Sequence, residues 1–237
     1  SGGTVVLNGS TLQSNGSHTV GNPLSLAVNT TIAGSSDLAF TGNLTNVLAG
    51  NATVTVNNSG NTSLGAIALS SNATNRTLTV AGTGNLTIGG VISDGGTATG
   101  SALTMSGNGT LTLSGANTYR GTTTLNAGTT AANSSGALGN GTASSNTLVF
   151  AGGSLLATGN ISSPSARGVT LSANATIDSN GNDVTILGNI TGTSGLTKNG
   201  NGTLTLGGAG NTYSGTTSIN AGALRATSSS ALGASGT

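Results

Sequence analysis

Few side chains in this sequence could do chemistry, and the closest pair of acids is Asp178 and Asp183, in the run Asp178-Ser179-Asn180-Gly181-Asn182-Asp183. Two carboxylates at that spacing suit either acid–base work on a glycosidic bond or a calcium site, since calcium takes carboxylate and Asn carbonyl oxygens. The same string is also what an Asx-rich turn requires, and the sequence favours that reading. Asp37 and Asp94 stand apart from other acids. His18 is the only histidine, and serine is too abundant for any nearby hydroxyl to mark a catalytic triad. Arg120, Arg167, Arg225 and Lys198 are candidates for a cationic row toward acidic surface glycans, against the ordinary reading as scattered solubilising charges. Tyr119 and Tyr213 read as packing residues in preference to sugar platforms. Asn-x-Ser/Thr triplets at Asn43, Asn85, Asn174 and Asn189 permit glycan decoration, although a chain this rich in Asn and Thr generates them by composition alone. Cysteine is absent, which removes thiolate catalysis, thiolate metal sites and disulfides together. Gly95-Gly96 lacks the lysine and helix of a phosphate loop. The sequence therefore predicts no catalytic residue, no cofactor, and no metal beyond the calcium candidates Asp178 and Asp183.

The elements that hold these residues are short strands. Charged residues make up 4% and aromatics 2% of the 237 residues, far from an ordinary globular composition. The net charge of +1 lacks the self-repulsion that keeps a disordered chain open. It also lacks the clustered cations that nucleic acid demands. No apolar stretch is long enough for a membrane span, and no signal peptide is present in the segment. Leu alternates with Thr in Thr110-Leu111-Thr112-Leu113, and the pattern returns at Val54–Val56, Leu78–Val80, Leu86–Ile88, Val169–Leu171, Val184–Ile186 and Leu204–Leu206. In a strand that alternation sends the aliphatic groups inward and the hydroxyls outward. Gly, Asn and Ser bound each burst and tolerate the backbone angles of a sharp corner.

Internal repetition decides the architecture. GNGTLTLSGANTYRGTTTLNAGTTAANSSGALG, residues 107–139, returns as GNGTLTLGGAGNTYSGTTSINAGALRATSSSALG, residues 200–233. Upstream, Thr4–Gly9 with Leu12 matches Thr147–Gly152 with Leu155. Thr31-Ile32 followed by Gly42–Thr45 matches Thr176-Ile177 followed by Gly188–Thr191. The chain thus divides into residues 1–140, module one, with extra turns at about 46–100, and residues 141–237, module two. Such repeats imply a stacked solenoid, and the scarcity of large aromatics suits its narrow interior. About 20–25 residues per turn gives on the order of ten turns and a rod about 50 Å long.

The repeated string resembles the autotransporter passenger-associated β-strand repeat. The residues that carry the resemblance are Gly107, Gly109, Leu111, Leu113, Asn117, Tyr119, Gly121 and Gly128 in the first copy. Their counterparts are Gly200, Gly202, Leu204, Leu206, Asn211, Tyr213, Gly215 and Gly222. Gly195-Leu196-Thr197-Lys198 looks like the usual lead-in. The resemblance implies an all-β, right-handed parallel β-helix, export through an outer-membrane barrel, an extracellular or bacterial cell-surface location, and no enzyme activity. Written head to tail, Ala231–Thr237 followed by Ser1–Gly9 aligns without a gap to the internal junction Ala137–Gly152. The expectation is therefore a solenoid uncapped at both ends, one period of a longer tandem array, with copies of itself as end-to-end partners. A covalent array is favoured over a polymer of separate chains. The function expected is a structural fibre, sheath or surface layer. The alternatives are an adhesin that binds through its rod face or extra turns, and, more remotely, a β-helical polysaccharide lyase or hydrolase.

Overall fold

The structure is a computed structural model that describes residues 3–26, 28–42 and 50–234. Every strand pairing among them is parallel, and the partners lie 19 to 26 residues apart, one circuit of a coil. The chain runs in sequence over three faces. One face is a nine-stranded sheet from Thr11–Ser14 to Ile190–Gly192, and the next is a ten-stranded sheet from His18–Val20 to Thr217–Ile219. The third face carries short strand groups: Val5–Leu7 with Leu24–Leu26, Ile67–Ala68 with Ile92–Ser93, and four strands from Ile161–Ser163 to Ala223–Ala226. The fold is a parallel β-helix of about ten turns, with one short 3-10 turn at Gly136–Leu138.

The Leu/Thr alternation builds the interior as it should. Leu111 and Leu113 are buried between half-exposed threonines, as are Leu204 and Leu206. Register then aligns inward side chains into rows along the axis. One row runs Val80, Met105, Leu125, Phe150, Leu171, and another runs Phe40, Leu64, Ile88, Leu113, Ala132, Ala157. Each fully buried Leu or Phe contributes roughly 1.5–3 kcal/mol, so the rod is stabilised in similar small increments along its length.

The corners stack as closely as the strands. A Cβ on Gly109 would collide with the Gly84 carbonyl, and one on Gly202 with that of Asn182. Only glycine lets successive corners approach this closely. Outward Asx side chains tie each turn to the next. Asn29 Oδ1 accepts from Thr53 N–H, Asn51 from Thr77, and Asn85 from Thr110. Asn174 does the same for Gly195 and Asn189 for Gly210. Three of the four triplet asparagines thus serve as rungs, and Asn43 lies outside the described residues. So do Ser1, Gly2 and Ser235–Thr237, which belong to the terminal alignment, and 46–49 of the extra turns.

The two repeats do not occupy the same faces. Ala102–Met105, Thr110–Leu113 and Thr123–Leu125 lie on the nine-, ten- and nine-stranded sheets. Their counterparts Leu196–Asn199, Thr203–Leu206 and Thr217–Ile219 lie on the ten-stranded sheet, the third face and the ten-stranded sheet. The second copy is advanced by one face around the coil.

Candidate functional site

The residues of the repeated string converge on one corner in each copy. Asn117 is buried and bridges three turns. Its Oδ1 accepts from Ile92 N–H below at 2.7 Å, and its Nδ2 donates to the Ala137 carbonyl above at 2.6 Å. Asn211 does the same with Ile190 N–H at 2.8 Å and the Ala231 carbonyl at 2.9 Å. A side chain with one acceptor and one donor on a short stem suits an N–H below and a C=O above. Two residues on, the buried Tyr119 hydroxyl donates to Thr123 Oγ1 at 2.7 Å, and Thr123 donates to the Leu138 carbonyl at 2.9 Å. Tyr213 and Thr217 share the equivalent bond. The motif glycines complete the corner. Gly107, Gly121 and Gly128 back onto Gly82, Gly100 and Gly107, while Gly200, Gly215 and Gly222 back onto Asn180, Ser194 and Gly202. This is the architecture of a structural clamp, with no nucleophile or free acid at its centre.

Burial pushes the Tyr119 pKa from 10.0 up to about 12, against the opposing pull of Thr123 and Arg167. The folded chain holds a proton that the unfolded chain releases. The stability this contributes is complete below the unfolded value and is lost as pH rises through the folded one. Tyr119→Phe should cost about 1 kcal/mol at neutral pH. Its alkaline stability loss between pH ~10 and ~12 should be smaller than that of the unaltered chain. Urea midpoints measured at neutral pH and across that alkaline range check both.

Two cations that read as surface charges are interior. Lys198 is 0% exposed and faces inward between Ile177 and Ile219. Its Nζ donates to Ser179 Oγ at 2.8 Å and to the carbonyls of Asn199 (2.7 Å), Gly200 (2.6 Å) and Ala221 (3.2 Å). Burial lowers its pKa, and Asp178 opposes the shift. The oxygen-rich corner of the calcium candidates therefore has a cation from the chain itself. Asp178 Oδ1 accepts from Asn180 N–H as an Asx turn does, and Asp183 Oδ1 accepts from Thr203 N–H in the next turn. Among the described residues no three acids or histidines cluster for a metal.

Arg167 is 1% exposed. Its guanidinium reaches from the loop before Val169 back to the corner of the first repeat. Nε donates to Asn146 Oδ1 at 2.9 Å, Nη1 to the Ser135 carbonyl and hydroxyl, and Nη2 to the Gly139 carbonyl at 2.7 Å. Arg120 instead pairs with Asp94, Arg225 is exposed, and His18 is exposed on its strand. With two of its four members buried, the cationic row does not exist.

A family model described as the passenger-associated-transport-repeat matches residues 103–132 and 196–226, the two clamp corners with their flanking strands. The chain carries two passenger-associated-transport-repeats. No curated protein and no solved structure matches it. Together the repeats and the β-helix match the β-helix repeat of an autotransporter passenger. No helix among the described residues is long and apolar enough to cross a membrane.

Proposed function

We propose that this chain is a stacking length of a surface-exposed structural rod, lengthened by copies of the same modules laid end on end. The observation that supports the reading is a matched pair of corners in different states. In the first repeat Leu125 and Leu138 are each 1% exposed, and Leu125 lies under Phe150 of the next turn. Their counterparts Ile219 and Leu232 are 52% and 53% exposed. The turn that covers Leu125 opens Thr147-Leu148-Val149-Phe150, and Thr4-Val5-Val6-Leu7 is its match in sequence. A turn of that kind from a second copy would bury both side chains and continue the backbone ladder.

Sedimentation and electron microscopy of the chain at rising concentration test this. Filaments or end-on oligomers with an axial repeat near ~50 Å are the expected result, and Ile219→Asp with Leu232→Asp should abolish them. A species that stays at 22.2 kDa at every concentration would overturn the proposal.

A further inference from the structure

The first repeat has something at its corner that the second lacks. From the Ile92 that bonds Asn117 to Leu103, the chain is five residues longer than from Ile190 to Leu196. The additional length forms a loop over residues 94–101, beside Arg120, and Ser214 stands at the matching position of the second repeat. Between loop and corner lies an open cavity of about 310 Å³, at the small end of the range for ligand sites. In repeat architectures such insertions on one face are often where binding occurs.

The cavity is built around a fixed guanidinium. Asp94 is 5% exposed, and its Oδ1 accepts from Ser101 N–H at 2.8 Å and Arg120 N–H at 3.1 Å. Its Oδ2 accepts from Arg120 Nε at 2.8 Å. Arg120 Nη2 donates to the Ala98 carbonyl at 3.1 Å, leaving Nη1 without a partner among the described residues. Asp94 thus orients the arginine through two of its three hydrogen bonds, and both side chains line the cavity. Asn140, also in the lining, has its Oδ1 occupied by the Thr142 N–H and hydroxyl, so its Nδ2 donors remain. Ser93 and Thr118 add hydroxyls, and Gly95 and Gly96 leave one wall without side chains. The free groups are mostly donors, and a planar arginine edge matches a carboxylate.

We infer that this cavity binds a uronic-acid unit of an acidic polysaccharide. Arg120 and Asn140 take the carboxylate, and Ser93 and Thr118 take the ring hydroxyls. The inference goes beyond the rod reading and does not depend on it, since one chain contains the whole site.

Calorimetry of the full chain with polygalacturonate oligomers, and with neutral dextran oligomers as control, tests it. Binding of the uronate alone is expected. Arg120→Gln and Asn140→Asp should each weaken it at least tenfold; the second keeps the acceptor used by Thr142 and leaves the Asp94 pair intact. Arg225→Ala removes an exposed arginine elsewhere and should leave binding unchanged. Absence of uronate binding would overturn the inference. So would equal binding of dextran, equal loss with Arg225→Ala, or full affinity in Asn140→Asp with its melting temperature preserved.

Discussion

Asn117→Ala should lower folding stability by about 4 kcal/mol, because it strands two buried backbone groups at once and leaves a gap between three turns. Among the described residues Ile92 N–H and the Ala137 carbonyl have no other hydrogen-bond partner. Asn117→Asp separates the two halves of the clamp. It keeps the acceptor for Ile92 N–H but turns the donor toward Ala137 into a buried carboxylate oxygen facing a carbonyl. Its cost at neutral pH should be at least as large, and it should ease at acid pH as the carboxyl becomes protonated and can donate. Denaturant midpoints and amide exchange at Ile92 measure these effects. In a solenoid each turn contacts only its neighbours, so protection should fall in the adjoining turns and stay nearly unchanged at Leu24–Leu26. An Asn117→Ala variant within about 1 kcal/mol of the parent would show that the clamp is dispensable.

Arg167→Ala should cost about 3 kcal/mol or more. The side chain packs over the Gly136–Leu138 turn and supplies donors to Ser135, Gly139 and Asn146 together. Deleting it leaves those acceptors short of donors and opens a cavity. Among the described residues no carboxylate pairs with this cation; carbonyl and hydroxyl oxygens solvate it, and burial draws its pKa down without making deprotonation accessible. Arg167→Lys should not restore stability, since the four acceptors on Asn146, Ser135 and Gly139 are set around three separate nitrogens of a planar fork, and an ammonium presents its donors from a single atom. Thermal melts of the two variants decide the point. If Arg167→Lys melts with the parent, bulk and charge matter here and the fork geometry does not.

Much of this fold could be read from the residues. The Leu/Thr alternation marks which side chains go inward because a strand has a period of two, and Leu111, Leu113, Leu204 and Leu206 obey it. The duplicated string shows that the corners stack, because glycines there have no other reason to recur at matched offsets. Lys198 was also within reach. It has the same parity as Leu196 in Leu196-Thr197-Lys198, so the pattern places it inside, although charge alone suggests solvent. No such rule covers Arg167, which lies in a loop outside the alternation; its acceptors come from 21 to 32 residues earlier. The Asp94–Arg120 pair spans 26 residues, one full circuit, and only the register of the coil brings the two together. The face on which each motif lies was equally hidden, because it depends on the summed lengths of turns that vary from 19 to 26 residues.

That variation has a geometric outcome. Since the second repeat begins one face later than the first, its Asn–Tyr corner points about a third of a revolution away around the axis. In any run of modules spaced this way, attachments at the corner would trace a screw thread and return to the same bearing only at the fourth module. Such a rod has no front or back: whichever flank meets a neighbouring surface, every third module turns a corner toward it.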